Sequence, residues 1–445
     1  MGSSSNQRAV RWLRTELPAL VSSGTISAEN AQAIERYYEA NARSSKVGFT
    51  LLAVIGSALV AAGIILLIAH NWDEFSRPVR SVIAFVPLVA AQALSVFVLM
   101  RRDESKPWRE SAAIFNVAAV GTAISLVSQT YQIHGSLANF ILVWMLLSLP
   151  LVYLMRTTLG AITYLIGAVV WLFARDGIRG FDSLYFWLFL LFVIPYFATL
   201  YRRDRGSRET AAFAIVLAVA AAFGLAFTPE FTKANFGIIA FAGFFAAVYI
   251  CGIEFFSRPN SDQLHPLALL GGLAIGIMSL VLTFEEIWRG QGPLLWPVDL
   301  AHGISVAIQL SFFIAALVLA AWFFARRGRV QFSVLAAAFP IVAAVGSFVA
   351  NLCPRAAVTS PSCYFAAAVL LDVYALGLGV ELIARGLRAN SAARTNFGLL
   401  VIAALALARF FDSDLSFVTR AIGFIVIGVG FLLTNVILFK KRTAA

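Results

Sequence analysis

Long apolar stretches recur along the chain from about residue 47 to its C-terminal end, and short polar segments separate them. Each stretch has about 17 to 25 residues, the length that an α-helix needs to cross the hydrocarbon core of a bilayer. The stretches begin near residues 47, 79, 111, 138, 158, 183, 210, 234, 266, 301, 330, 362, 395 and 417. They lack the alternating pattern of barrel strands, and unpaired backbone groups are costly in lipid. The pattern therefore predicts an all-α protein, a polytopic transmembrane helical bundle of about 14 spans.

The segment before the first span is mostly polar and has a helical pattern of its own. Ser27 followed by Asn30 is an imperfect capping box, and apolar residues around it repeat at helical spacing (Ile26, Ala31, Ile34 and Tyr38). We predict two short amphipathic helices around a turn at residues 22–25. Such a hairpin cannot hold a core of its own, so we expect it to pack on the membrane domain, a second subunit or another protein. The predicted domains are a cytoplasmic helical segment (1–46), a polytopic membrane domain (47–439) and a basic cytoplasmic tail (440–445).

Composition supports a membrane protein, since 60% of the residues are hydrophobic and only 13% are charged, against about 25% charged in soluble domains. The net charge of +11 is better explained by topology than by nucleic-acid binding. If the N-terminus is cytoplasmic, 25 of the 34 Lys and Arg residues fall in inner segments, as the positive-inside rule requires. We therefore predict a multi-pass protein of the bacterial inner (cytoplasmic) membrane with both termini in the cytoplasm, without a cleavable signal peptide or a nucleic-acid partner.

Polar and aromatic residues collect at the span ends that this topology places outside. The segments are IAHNWDEF (68–75), SQTYQIHG (128–135), TFEEIW (283–288) and ARFFDSD (408–414), whereas the inner ends carry mainly arginine. The candidates for substrate binding are His70, Asn71, Trp72, Gln129, Tyr131, Gln132 and His134. The external acidic candidates are Asp73, Glu74, Glu285, Glu286 and Asp412. The alternative is an ordinary interfacial helix end, where Trp, Tyr and capping residues are common.

One acidic residue, Asp372, lies within a predicted span. It is about nine residues, or roughly 14 Å of helix, from the outer end of that span, where a carboxylate is costly. An intramembrane acid should face the bundle interior and marks a functional site by default, so Asp372 is the candidate for ion coupling. A hydrogen bond between helices is the alternative. The other polar residues in mid-span predict interhelical hydrogen bonds: Gln92, Asn116 and Gln309.

Two further pairs of residues suggest local contacts. Cys353 and Cys363 flank a short loop that is predicted to be external, where they could form a disulfide; two free thiols are the alternative. Arg409 and Asp412 are three residues apart on one helix, which favours a local ion pair. The chain has no HExxH, CxxC or similar spacing of metal ligands, so we expect neither a metal site nor a cofactor.

Three stretches carry a resemblance to a known family: AHNWDEF after the first span, VSQTYQIHG before LVWMLLSLPL, and ARFFDSD before TRAIGFIVIGVGFLL. With them the chain resembles the bacterial predicted membrane proteins grouped as domain of unknown function 2157. The resemblance is strongest over residues 10–175 and 395–440, and Gln132 stands where we expect such proteins often to have His. It implies a polytopic inner-membrane protein whose activity is not established.

Three functions fit these features. The first is a transporter or flippase-like protein for a small polar solute or a lipid-linked envelope intermediate, with the bilayer and that molecule as partners. The second is a membrane-embedded transferase at the periplasmic interface, supported by Asp73 and Glu74 in the first external loop as candidates for a catalytic acid. Its external loops are short, so we lean against an enzyme. The third is a noncatalytic scaffold or sensor, in which residues 1–46 bind a protein partner or a second copy of the chain.

Overall fold

The computed structural model is helical in the residues that it describes, with no strand among them. These residues are 13, 16–34, 72–175, 182–228, 236–256, 265–290, 300–327, 334–352, 362–389, 391–412, 418, 422, 425 and 428–430. The chain divides into two compact units, Met1–Ile83 and Ala84–Ala445. The domain boundaries at residues 46 and 439 stay predictions.

A 3-10 turn at Trp72–Glu74 precedes a long series of helices. In chain order these are α1 (Arg77–Arg101), α2 (Lys106–Tyr131), α3 (Leu137–Met155), α4 (Thr158–Ala174), α5 (Asp182–Leu191), α6 (Ile194–Arg203), α7 (Arg208–Ala226), α8 (Phe236–Glu254), α9 (Pro266–Val281), α10 (Glu285–Arg289), α11 (Leu300–Arg327), α12 (Val334–Asn351), α13 (Ser362–Arg388) and α14 (Ala392–Asp412).

Eight helical segments among the described residues are long and apolar enough to cross a membrane: α1, α2, α3, Tyr185–Arg203 in α5 and α6, α7, α8, α12, and Cys363–Arg388 in α13. Shorter apolar helices are Thr158–Ala174, Pro266–Val281 and Val306–Trp322. Every predicted span that begins between residues 79 and 395 coincides with helix. The spans predicted near residues 47 and 417 lie wholly or mostly outside the described residues. The prediction of an all-α polytopic helical protein is confirmed.

The described part of the N-terminal segment is a helical hairpin. Residues 16–22 and 28–34 are helical, and the turn between them contains Gly24 at a φ of +73°, which glycine adopts without strain. The hydroxyl of Ser27 accepts a hydrogen bond from the backbone N–H of Asn30 at 3.1 Å, so it caps the second helix. Leu17 and Ala31 are buried. The two helices predicted around this turn are therefore present in the described residues.

Two large hydrophobic cores lie among the described helices, and a small third one joins α1, α2 and α3. The first joins α3 to α9 and contains Trp171 and Phe189, whose rings meet edge-on with centroids 5.1 Å apart. The second joins α8 to α13 and contains the fully buried Trp288. The backbones of α13 and α14 approach closely, because a Cβ on Gly398 would lie 2.6 Å from the carbonyl oxygen of Gly379. Helices in lipid have no hydrophobic driving force to associate, so the close van der Waals packing that small residues allow stabilises such crossings.

Two buried or half-buried glutamates cap helices that begin on the arginine-rich side of the bundle. The carboxylate of Glu110 accepts hydrogen bonds from the backbone N–H groups of Thr158 and Leu159, both at 2.9 Å, at the start of α4. Glu381 does the same at the start of α12, accepting from residues 334 and 335 at 3.2 and 3.3 Å. The first N–H groups of a helix have no partner within it, and a carboxylate also suits the positive end of the helix dipole.

Candidate functional site

Helices α1, α2 and α3 line a partly open cavity of about 680 Å³. Two buried or half-buried hydrogen bonds join these helices. The amide of Asn116 on α2 donates to the hydroxyl of Ser95 on α1 at 3.0 Å, which confirms the interhelical bond predicted for Asn116. The indole of Trp144 on α3 donates to the backbone carbonyl of Val117 at 2.7 Å. Its ring also lies against Gly121, where a Cβ would be 2.6 Å from the indole.

The wall of the cavity is mainly apolar and carries no Asp, Glu, Lys or Arg among the described residues. Its apolar members are Phe85, Leu88, Val120, Ala123, Ile124, Val127, Ile133, Phe140, Val143 and Leu147. Its polar members are Gln92 on α1, Ser128 at the end of α2, and His134, Ser136 and Asn139 at the turn into α3. The polar groups are therefore gathered mostly at one end, where the α2–α3 turn closes the helices.

The segment SQTYQIHG forms the C-terminal cap of α2. Gln132 adopts a left-handed conformation with a φ of 53°, and the next N–H, of Ile133, donates to the carbonyl of Ser128 at 2.9 Å. This is the pattern of a Schellman-type helix end. The hydroxyl of Ser128 donates to the carbonyl of Ile133 at 2.9 Å, and that of Thr130 donates within its own helix. Several of these polar residues thus serve the turn itself.

The next helix begins immediately after this cap. Ser136 is the N-cap of α3, because its hydroxyl accepts a hydrogen bond from the backbone N–H of Asn139 at 3.2 Å. The two caps together fix His134 in the three-residue connection that lines the cavity. Ser136 and Asn139 follow the motif directly and are three residues apart, the spacing of a capped helix start. This pattern could have added both residues to the predicted site.

The substrate-binding candidates do not all lie on this cavity. All four described candidates on the α2–α3 turn are exposed. His134 lines the cavity, whereas Gln129, Tyr131 and Gln132 are not part of its wall. Trp72 belongs to the N-terminal unit, where the guanidinium of Arg80 lies 5.8 Å from the centre of its ring. His70 and Asn71 lie outside the described residues.

None of the described acidic candidates is among the residues of the cavity wall. Glu285 pairs with Arg289 at 2.6 Å within α10. Glu286 and Glu74 are exposed. The side chains of Asp73 and Asp412 are outside the described part of the structure.

Asp372 forms an ion pair with Arg409 between α13 and α14. The Nε of Arg409 donates to the carboxylate at 3.0 Å. The antiparallel helices approach closely at Gly379, where a Cβ would lie 2.5 Å from Ile402, and the register that pairs 379 with 402 brings position 409 level with position 372. Asp372 is 37 residues from Arg409 in the chain. The local ion pair of Arg409 with Asp412 stays a prediction, because the side chain of Asp412 is not among those that the structure describes.

Arg409 also binds the end of α9. Its Nη2 donates to the carbonyl of Thr283, and its guanidinium lies 5.6 Å from the centre of the Phe284 ring. The neighbouring carbonyl of Leu282 accepts from the buried indole of Trp288 at 2.8 Å. Because α9 ends after 16 residues, these side chains supply the hydrogen bonds that its last carbonyls would otherwise lack.

The other polar predictions have mixed outcomes. Gln309 is fully buried, yet neither atom of its amide bonds to a described residue, so the interhelical bond predicted there is not seen. Cys363 is disulfide-bonded and Cys251 is a free thiol. Cys353, the predicted partner of Cys363, lies outside the described residues. No group of three or more His, Cys, Asp or Glu side chains in the described ranges could hold a metal ion.

The helices and their apolar surfaces define the chain as a membrane protein with several apolar helices. Residues 18–161 match a family described as predicted membrane protein (DUF2157). The match confirms the resemblance predicted for the first part of the chain, and it contains every residue of the cavity wall. The resemblance at residues 395–440 lies outside the matched segment. No curated protein matches the chain, and no solved structure matches it.

Proposed function

We propose that the chain binds an amphipathic, lipid-like molecule in the α1–α3 cavity and acts as a transporter or flippase-like protein for it. The observation that carries this proposal is the combination of an apolar wall with polar groups gathered at one end. A volume of about 680 Å³ lies within the usual range for small-molecule sites, about 300–1,000 Å³. A small polar solute would leave most of this wall without a partner, so the cavity favours the lipid-like substrate.

The proposed topology places the polar end of the cavity on the periplasmic side of the bilayer. We place the chain in the bacterial inner membrane with both termini in the cytoplasm, on the distribution of Lys and Arg. The α2–α3 turn then faces the periplasm, with Ser136 and His134 at headgroup level. Leu147 lies eleven residues along α3 from Ser136, or about 16 Å at the rise of a helix. The apolar wall would thus extend into the hydrocarbon region and accommodate an acyl or isoprenoid chain.

The ion pair of Asp372 and Arg409 supports a structural role more directly than ion coupling. Charged residues within the membrane are usually paired with one another, and Arg409 already compensates the charge of Asp372 at 3.0 Å. A coupling proton or cation would have to compete with this guanidinium. The transferase alternative stays a prediction, because the side chain of its acid, Asp73, is not among those that the structure describes.

A pair of adjacent leucines provides the test. Leu147 lines the cavity, whereas Leu146 is on the same helix, is also exposed and is not part of the wall. A monoacylglycerol with a photoreactive diazirine in its chain would be crosslinked to the purified protein in nanodiscs, and the labelled peptides identified by mass spectrometry. We expect labelling of α1–α3, reduced about tenfold or more by Leu147→Trp, which fills the cavity, and unchanged by Leu146→Trp.

Transport requires a second measurement, because binding alone does not move a lipid. Proteoliposomes would be loaded with the same monoacylglycerol, and its transbilayer movement followed by extraction with albumin. Faster movement that Leu147→Trp abolishes and Leu146→Trp retains is the expected result. Equal labelling of both variants would overturn the cavity as the binding site, and labelling without movement would overturn the transport role.

A further inference from the structure

Several polar groups in the cavity are not used by the fold. Ser136 accepts a hydrogen bond from a backbone N–H, but its own hydroxyl proton has no acceptor among the described residues. The side chains of His134, Asn139 and Gln92 likewise make no hydrogen bond within the described part of the chain. Asn116, in contrast, is committed to Ser95. The cavity therefore presents hydrogen-bond donors and acceptors that remain available to a ligand.

None of the available groups carries a fixed charge. The described wall contains no Asp, Glu, Lys or Arg. The polar side chains lie at the exposed edge of the cavity, and the described wall offers no opposite charge to offset the hydration that a charged group loses on entering. An uncharged hydroxyl or amide, by contrast, would exchange its water for Ser136, Asn139 and His134.

We infer that the cavity selects molecules whose polar end is uncharged and hydrogen-bonding, such as a hydroxyl-bearing or sugar-bearing lipid. This inference rests on the proposed function, because it specifies the substrate class of the same cavity. The polar end lies at the α2–α3 turn, where Ser136 and Asn139 are supplied by the first turn of α3. Gln92 on α1 provides a second polar contact along the wall.

The inference is tested with three photoreactive probes that share one diazirine-bearing chain. Their polar ends are glycerol, sulfate and trimethylammonium, so the last two stay charged at every pH used. Crosslinking to α1–α3 is measured at pH 8 in nanodiscs of zwitterionic lipid, at equal membrane concentrations of the probes. We expect the glycerol probe to label the cavity at least about tenfold more than either charged probe. Labelling that does not depend on the charge of the polar end would overturn the inference.

A charge placed in the wall should change this preference. Asn139→Asp puts a carboxylate at the polar end of the cavity, and Gln129→Glu puts one on the same turn but away from the wall. We expect Asn139→Asp to raise labelling by the trimethylammonium probe about fivefold and to lower labelling by sulfate, since opposite charges a few ångströms apart attract even at an exposed position such as 139. Gln129→Glu should leave the order of the probes unchanged. A matching shift with Gln129→Glu would mean that general surface charge sets the preference.

These outcomes separate the two proposals. If no probe labels α1–α3 and Leu147→Trp changes nothing, the proposed function fails and the selectivity fails with it. If all probes label the cavity equally and Leu147→Trp blocks all of them, the proposed function stands and only the selectivity is wrong.

Discussion

The α1–α3 cavity and the helices around Arg409 both contain polar groups at membrane depth, but the two regions use them differently. Around the cavity, the contacts between helices are uncharged, as in the bond from Asn116 to Ser95. Around Arg409, a full ion pair with Asp372 joins three elements, because the same guanidinium binds the end of α9. Uncharged groups can be left available at the edge of a cavity, whereas a charge in the bilayer needs a partner.

The two regions also differ in how closely their helices pack. Backbones touch where α13 crosses α14 at Gly379 and Gly398, while α1, α2 and α3 leave about 680 Å³ between them. We infer that the first region provides rigidity and the second provides room for a ligand. Substitutions should therefore affect mainly stability in the first region and mainly ligand binding in the second.

The largest effect on stability is expected from breaking the ion pair. Removal of one partner of a buried pair costs about 3–5 kcal/mol. Arg409 and Asp372 are 28% and 26% exposed, so we expect Arg409→Leu to lower the free energy of unfolding by about 3 kcal/mol. The measurement is reversible unfolding in mixed micelles titrated with SDS and followed by circular dichroism.

Arg289 is the matched control for this prediction. It also pairs with an acid, Glu285, but its side chain is 54% exposed and the pair lies within one short helix. Arg289→Leu should therefore cost less than about 0.5 kcal/mol. The double variant with Leu at 372 and 409 should be more stable than Arg409→Leu alone, because it leaves no unpaired charge. An Arg409→Leu protein as stable as the unchanged chain would contradict the structural role of the pair.

Hydropathy predicted the positions of the helices well, because the length of an apolar run depends only on local sequence. It did not predict the partner of Arg409, since the contact with Asp372 depends on the register of α13 against α14 and joins residues 37 apart. The break between α5 and α6 was not predicted either, although Pro195 just after it disfavours an unbroken helix.

The residues of the candidate cavity were predicted only in part. The polar segment at residues 128–135 correctly indicated His134 as a residue of the cavity wall. It also indicated Gln129, Tyr131 and Gln132, which are not part of that wall. A polar cluster at a helix end contains both capping residues and residues available to a ligand, and the sequence pattern alone does not separate them. The contribution of Gln92 depends on α1 facing α2 and α3, which is a property of the tertiary structure.

A somewhat smaller effect is expected where α13 crosses α14. A methyl group on Gly398 would lie 2.6 Å from a backbone oxygen that cannot move aside easily, so Gly398→Ala should destabilise the protein by about 2 kcal/mol. Gly272 on α9 is the control, because a Cβ there would lie 3.5 Å from the ring of Tyr249, an ordinary contact. Gly272→Ala should be neutral or slightly stabilising. Equal costs for the two variants in the same SDS titration would contradict the close approach of α13 and α14.

The smallest effect on stability is expected at the cavity, where Asn116 and Gln92 can be compared directly. Asn116→Leu removes the hydrogen bond to Ser95, whose hydroxyl keeps its own acceptor on α1. Interhelical hydrogen bonds in membranes contribute about 0.6 kcal/mol on average and about 1.7 at most, so we expect a loss of about 1 kcal/mol. Gln92→Leu removes no such bond and should change the free energy of unfolding by less than about 0.5 kcal/mol. It should instead weaken labelling of the cavity by the glycerol probe, which Asn116→Leu should preserve. If Gln92→Leu destabilised the protein as much as Asn116→Leu without affecting labelling, Gln92 would belong to the scaffold and the distinction between the two kinds of polar group would fail at this position.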